Sequence, residues 1–204
     1  MLQHFGLVVL GAHSGVHLRD LISRYFDKNI LLVEPVPYNY LELEKVYRDS
    51  KNIIISKNGV LDKNIIDSFY FVKKDSITKL GKHWASQIGS FDKDHILKHK
   101  NKRFQIDDEH IEKIDIKFIT FEELVKEYSI GSIEMLQIDI EGAEYKIMKS
   151  INYDELNINQ ILFESKHFDG TFKEGEKLDE IKKLLILNNY KLKRVDKENI
   201  LAFK

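Results

Sequence analysis

Short apolar runs alternate with segments of helical periodicity along most of the sequence. Phe5–Leu10, Ile30–Val33 and Ile53–Ile55 have the length and composition of strands that are buried on both faces of a parallel sheet. Between them, apolar residues recur every three or four positions, which is typical of amphipathic helices. Because a parallel strand pair needs a crossover connection, the alternation predicts a Rossmann-like, doubly wound α/β fold.

The middle of the chain is less regular. Asp67–Val72 and Ile114–Ile119 look like strands, and the polar stretch between them lacks clear periodicity. We therefore expect one domain over residues 1–204, with residues 73–110 as a lid-like insertion.

The second half returns to the alternating pattern. Ile133–Ile138 and Ile158–Phe163 predict two further core strands. The two last strand candidates, Lys191–Val195 and Asn199–Phe203, predict a terminal hairpin that would add antiparallel strands to the sheet.

Composition excludes several classes of protein. Lys and Arg number 32 against 33 Asp and Glu, so the chain lacks the global positive field that non-specific nucleic-acid binding needs. The apolar runs are too short for a membrane span, and hydrophobic residues at 43% are too many for a disordered chain. No cysteine and no basic leader occur, so we expect a cytoplasmic protein without nucleic-acid or membrane partners. A homo-oligomer is left open.

A nucleoside site is predicted where the first two strands end. Gly11–Gly15 follows the first strand directly, and Glu34 ends the second strand about twenty residues later, where a carboxylate can accept hydrogen bonds from ribose hydroxyls. His13 and Val16 occupy the second and third glycine positions of the dinucleotide fingerprint, and no P-loop is present. A nucleoside without a pyrophosphate remains, and S-adenosylmethionine is the commonest such cofactor on this fold.

Five segments in order resemble the FkbM-type family of class I S-adenosylmethionine-dependent methyltransferases. The segments are Val8–Gly15, Leu32–Pro37, Ile119–Leu124, Leu136–Glu144 and Leu162–Glu164. The resemblance implies a mostly parallel seven-stranded sheet whose last strand is antiparallel. It also implies methyl transfer from S-adenosylmethionine to a hydroxyl of a sugar or other small metabolite, which would be the partner of the chain.

Carboxylates at the ends of the later strands are the catalytic candidates. Methyl transfer to a hydroxyl needs a base, and Asp139, Glu141 and Glu164 follow the fourth and fifth core strands. Helix capping would also explain the first two. These acids and His167 could gather around a divalent metal ion, but their spacing matches no closed motif, so no metal ligand is assigned.

The remaining candidates complete the predicted site. Asn58 and Gly59 lie where adenine contacts occur in this fold. The residues expected to bind the cofactor are Gly11, Ala12, His13, Ser14, Gly15, Glu34, Pro35, Asn58, Gly59 and Asp139. The residues expected to contact the acceptor are Trp84, Ser86, Gln87, Ser90, Phe91 and His167.

Two alternative functions stay open on sequence alone. Val9 stands where members of the family usually have an acidic residue, which is compatible with a non-catalytic cofactor-binding or scaffold protein. A nicotinamide-dependent oxidoreductase is disfavoured by the missing glycines.

Overall fold

The computed structural model describes residues 1–140, 142–166, 168–169 and 173–204, without the side chain of residue 83. The strands are β1 (Gln3–Leu10), β2 (Asn29–Val33), β3 (Ile53–Ser56), β4 (Gly59–Leu61), β5 (Ile65–Val72), β6 (Gly89–Ser90), β7 (Ile111–Thr120), β8 (Ile130–Ile138), β9 (Asn157–Glu164), β10 (Lys191–Arg194) and β11 (Asn199–Phe203). The α-helices are α1 (Arg19–Ser23), α2 (Pro37–Val46), α3 (Lys74–Leu80), α4 (Lys93–Leu97), α5 (Phe121–Glu127), α6 (Glu144–Ser150) and α7 (Glu176–Leu187). Short 3-10 helices occur at Val16–Leu18, His83–Gln87 and Asp108–His110.

The main sheet confirms the predicted fold class. In the described residues it has seven strands in the order β10-β11-β9-β8-β1-β2-β3. The five strands from β9 to β3 pair in parallel, whereas β11 runs antiparallel to both β9 and β10. The order reverses between β1 and β8, so the carboxyl ends of these two strands flank the position where doubly wound sheets bind their ligands.

Burial explains why β1 is a continuous apolar run. Val8 and Leu10 belong to one large apolar cluster and Leu7 and Val9 to another, because successive side chains of a strand point to opposite faces. Both faces of the sheet are covered, as the composition of the first run predicts.

A second, smaller sheet was not foreseen from the sequence. Its order is β4-β7-β5-β6, and β5 pairs antiparallel with β7 over its full length. The predicted strands at Asp67–Val72 and Ile114–Ile119 therefore belong to this sheet. Residues 73–110 leave β5 and return to β7, and their apolar side chains pack in a separate cluster that includes Ala85, Ile88 and Phe104. The apolar residues of this cluster show no helical or strand periodicity in the sequence, because they come together only after the chain reverses direction.

No helix in the described residues has both the length and the hydropathy that a membrane crossing requires.

Backbone hydrogen bonds around Gly11 connect the carboxyl ends of β1, β2 and β8. The N–H groups of Gly11 and Ala12 both donate to the carbonyl of Val33 at 3.0 Å, and Asp139 N–H donates to the carbonyl of Leu10 at 3.0 Å. Gly11 has φ +86, and a Cβ atom at this position would lie 1.7 Å from the Asp139 carbonyl oxygen. Glycine is therefore required here both by the backbone conformation and by the close approach of β8.

We expect Gly11→Ala to lower the free energy of unfolding by about 3 kcal/mol, because it adds a steric clash to an unfavourable φ. Gly81→Ala is the matched control: Gly81 has φ +64 but nothing lies within 4 Å of an added Cβ. The control is expected to lose only about 1 kcal/mol. Urea denaturation measures both values, and equal losses would contradict a special role for the contact with Asp139.

Candidate active site

The carboxyl ends of the central strands open onto one cavity of about 290 Å³. Six of the residues that were expected to bind the cofactor line it: Gly11, His13, Glu34, Pro35, Gly59 and Asp139. Gln87 and Phe91 from the expected acceptor set and Glu164 from the catalytic set line it as well. The structure therefore gathers residues from β1, β2, β8, β9 and the inserted segment into a single site.

Other predicted residues do not line the cavity. In the cofactor set these are Ala12, Ser14, Gly15 and Asn58, and in the acceptor set Trp84, Ser86 and Ser90. Trp84 packs against Phe104 with ring centroids 4.5 Å apart, and the Ser90 hydroxyl accepts a hydrogen bond from the N–H of Asp92. Glu141 and His167, which were predicted to be a catalytic and an acceptor residue, lie outside the described residues.

Glu34 holds the loop of β1 and the turn after β2 with one buried carboxylate. Its Oε1 accepts hydrogen bonds from Val36 N–H at 2.9 Å and from Asn39 Nδ2 at 3.3 Å. Its Oε2 accepts from His13 N–H at 2.8 Å, the one donor to this atom among the described residues. A carboxylate oxygen can accept two hydrogen bonds, so Oε2 has capacity for a hydroxyl in the cavity. Burial raises the pKa of Glu34 to about 7, against the lowering effect of these donors.

His13 adopts a left-handed backbone conformation with φ +50. For a residue other than glycine this conformation costs about 1–3 kcal/mol and persists only where the surroundings hold it. Here the backbone N–H is bound by Glu34, and the ring contacts the hydroxyls of Ser86 and Ser14 at 2.8 and 3.2 Å. Burial, together with the nearby His17, lowers the pKa of His13 to about 4, so the ring is neutral at pH 7.

Glu144 shapes the turn that carries Asp139, a role that the sequence analysis missed. Its carboxylate accepts hydrogen bonds from the N–H groups of Ile140 at 2.9 Å and Gly142 at 2.8 Å. The side chain is fully buried, and burial raises its pKa to about 8, with a further contribution from the charges of Glu164 and Asp139. The sequence did offer a signal for this role: an acidic residue at the first position of a helix, followed one turn later by apolar residues.

Glu164 is buried where β9 ends and forms an ion pair across the edge of the cavity. Lys166 Nζ lies 2.6 Å from Glu164 and 3.2 Å from Glu198, which belongs to the turn between β10 and β11. Lys166 and Glu198 also line the cavity and were not predicted. No local pattern could identify Glu198, because it reaches the site only through the pairing of β11 with β9.

An aromatic wall closes the side of the cavity that faces the second sheet. Phe91 lies 4.4 Å from Phe118 and 5.5 Å from Phe69 between ring centroids. Phe118 belongs to β7 and Phe69 to β5, so these two residues could not be found without the second sheet. Asn39 was also missed, although it is a buried polar residue one helical turn before the buried Leu43.

Metal ligation receives no support from the part of the chain that the structure describes, where no three His, Asp or Glu side chains gather as a metal site would require.

A mostly parallel sheet with an antiparallel β11, and a cavity of mixed polar and apolar lining at its switch point, define a class I methyltransferase architecture. The chain belongs to the methyltransferase FkbM domain family, whose model matches residues 10–192. No curated protein matches it in sequence.

Two similar solved structures have low sequence identity to this chain. Fibrillarin from Aeropyrum pernix, in complex with S-adenosylmethionine, is 14% identical, with 98% of this chain and 67% of that chain covered and a TM-score of 0.48. Precorrin-6y C5,15-methyltransferase from Geobacter metallireducens is 8% identical, with 100% and 82% covered and a TM-score of 0.45. Similarity at this level does not define the activity of this chain.

The residues of the cavity fit S-adenosylmethionine, the cofactor that the family implies. Glu34 Oε2 has capacity for a ribose hydroxyl, and the backbone of Gly11 lines the same cavity. Asp139 and Glu164 line the same cavity. Lys166 is paired with Glu164, so it is the carboxylate of Asp139 that suits a ligand with a positive charge on sulfur.

We expect Glu144→Gln to flatten the pH dependence of stability. Because the pKa of Glu144 is raised to about 8 in the folded protein, the folded state binds a proton more tightly than the unfolded state. The stability that this group contributes is fully present below about pH 4.5 and is lost as the pH rises to 8, by up to about 4 kcal/mol. Urea denaturation between pH 5 and 8 measures how the free energy of unfolding changes with pH. Glu155→Gln, at an exposed position, is the control, and equal slopes in the two variants would contradict the prediction.

Proposed function

We propose that this chain transfers a methyl group from S-adenosylmethionine to a hydroxyl oxygen of a sugar or another small metabolite. The observation that carries the proposal is the position of Glu34, buried at the end of β2, with an oxygen available to a ligand in the same cavity as Asp139 and Glu164. Membership in the FkbM family supports methyl transfer. The choice of a hydroxyl acceptor follows from the sequence resemblance and from the carboxylates available as bases.

The cavity divides into a cofactor side and an acceptor side in this proposal. Glu34, Pro35 and Gly59 contribute to the cofactor side, and their places after β2 and at the start of β4 suit the ribose and the adenine. Gln87 and Phe91 contribute to the acceptor side, where apolar and polar lining occur together as is usual for small-molecule sites. Residues 73–110 provide the acceptor side, and their role as a lid stays a prediction.

Asp139 is proposed as the base for the acceptor hydroxyl. When bound, the cofactor supplies a methyl group on a positively charged sulfur, and its transfer leaves S-adenosylhomocysteine. Asp139 lies directly after β8, and Glu144 binds the N–H groups of Ile140 and Gly142, so the backbone that carries the Asp139 carboxylate is held in place before the acceptor binds. The proton of the hydroxyl passes to Asp139 as the new oxygen–carbon bond forms.

Glu164 is proposed to orient the acceptor. Lys166 Nζ lies 2.6 Å from the Glu164 carboxylate and fixes its direction. Lys166 also lines the cavity, so the pair presents both an acceptor and a donor of hydrogen bonds to a hydroxyl-rich molecule.

We expect Glu34→Gln to weaken the binding of S-adenosylhomocysteine by about ten- to a hundredfold, because hydrogen bonds to a charged group contribute about 1.5–3 kcal/mol. Since the pKa of Glu34 is about 7, affinity of the natural chain is expected to rise as the pH increases from 6 to 8 and the carboxylate ionises. The variant is expected to show no such rise. Isothermal titration calorimetry measures both effects.

Glu44→Gln is the control for this experiment. Glu44 lies on α2 close to Glu34 in sequence, but its carboxylate is exposed and paired with Lys57 at 2.7 Å. Unchanged affinity in Glu34→Gln would remove the ribose role, and a thermal melt of each variant separates lost binding from lost folding.

For Asp139→Asn we expect turnover to fall by about a hundredfold or more while S-adenosylhomocysteine binds with nearly unchanged affinity, because the amide cannot accept the proton. The measurement is formation of S-adenosylhomocysteine from S-adenosylmethionine across a panel of sugars and small hydroxyl compounds. Full turnover of the variant with an acceptor that the natural chain methylates would exclude Asp139 as the base.

A further inference from the structure

A closed ring of hydrogen bonds joins four residues from four separate segments. Glu34 accepts from the backbone N–H of His13 at 2.8 Å and from the side chain of Asn39 at 3.3 Å. The His13 ring nitrogen Nε2 lies 2.8 Å from the Ser86 hydroxyl, and Asn39 Nδ2 also donates to the Ser86 carbonyl at 3.3 Å. The ring therefore runs from the end of β2 to the loop after β1, to the 3-10 helix His83–Gln87, and back through α2.

Ser86 is the member of this ring that belongs to the inserted segment. It does not line the cavity, but Gln87, Gly89 and Phe91 directly after it do. Its hydroxyl binds the imidazole of His13 and its carbonyl accepts from Asn39, so both its side chain and its backbone are held. The acceptor side of the cavity is thus attached to the carboxylate proposed to hold the ribose.

Apolar packing fixes this segment to the second sheet rather than to the main one. Ala85 and Ile88, on either side of Ser86, are buried in the cluster that includes Val72, Ile96 and Phe104. This cluster contains residues of β5, β7 and the insertion and none of the described residues of the main sheet. Tyr38 OH donates to Val72 O at 2.9 Å, but this bond reaches β5 and not the segment 85–91. The ring is therefore a direct polar connection between Glu34 and the acceptor side.

We propose that Ser86 is a positioning residue that couples cofactor binding at Glu34 to the placement of the acceptor wall formed by Gln87, Gly89 and Phe91. This inference rests on the proposed role of Glu34. A ribose hydroxyl bound to Oε2 fixes the carboxylate and, through His13 and Asn39, both polar groups of Ser86. Coupling between two sites is reciprocal, so an acceptor that orders the wall also strengthens cofactor binding.

Hydrogen–deuterium exchange tests the coupling without knowledge of the acceptor. In the natural chain, saturating S-adenosylhomocysteine is expected to slow exchange in peptides that cover residues 85–91 by about threefold or more. In Ser86→Ala this protection is expected to disappear, while the affinity measured by calorimetry falls only by about two- to tenfold, the value of one neutral hydrogen bond. Ser86→Thr retains the hydroxyl and is expected to restore the protection.

Ser68→Ala is the matched control, because Ser68 lies on β5 of the same small sheet and its hydroxyl binds Asp115. It is expected to behave as the natural chain does. Protection of residues 85–91 in Ser86→Ala equal to that of the natural chain would overturn the proposal, since packing alone would then account for the wall.

A ligand-free comparison separates this proposal from the proposed function. If the hydrogen-bonded ring transmits order, Ser86→Ala accelerates exchange in residues 11–15 even without ligand, because the imidazole of His13 loses its hydrogen bond to the Ser86 hydroxyl. If S-adenosylhomocysteine does not bind the natural chain, the cofactor assignment is wrong. The ligand-free comparison then still tests whether the hydrogen-bonded ring transmits order to residues 11–15. Exchange in residues 11–15 that is unchanged by Ser86→Ala would overturn the coupling.

Discussion

Two buried carboxylates hold the loops on which the candidate active site depends. The loops at the carboxyl ends of β1, β2 and β8 have backbone N–H groups that no strand partner can satisfy, and a buried N–H without a partner is strongly unfavourable. Glu34 binds those of His13 and Val36, and Glu144 binds those of Ile140 and Gly142. Each carboxylate therefore fixes a loop conformation that the sheet alone would leave undetermined.

This arrangement has an electrostatic consequence for the cavity. Removing a carboxylate from water disfavours its charged form, and the pKa of both groups is raised accordingly. The charges of Asp139 and Glu164 contribute to the raised pKa of Glu144, and a positive charge beside Asp139 would be stabilised. The sulfonium of the proposed cofactor carries such a charge. The same group of acids thus stabilises the loops and would favour binding of the proposed cofactor.

The second sheet and the segment between its strands form one wall of the cavity, which the proposed function assigns to the acceptor. Phe69 and Phe118 reach the site from β5 and β7, and the segment between these strands contributes Gln87 and Phe91. The hydrogen bonds of Ser86 attach that segment to His13 and Asn39. A site at the end of a doubly wound sheet would be open on this side, and residues 73–110 close it with Gln87 and Phe91.

The sequence alone determined the main sheet, because the strands of a parallel sheet are buried on both faces and show as continuous apolar runs between amphipathic helices. It also located Gly11, Glu34, Asp139 and Glu164, since each comes directly after a strand. Only the tertiary structure decided the second sheet and the contacts of Asn39, Lys166 and Glu198. These depend on strand pairing and chain reversal between distant segments, and no local period in the sequence encodes them. The physical reason is that burial leaves a repeating pattern within each element, whereas the meeting of polar groups across elements leaves none.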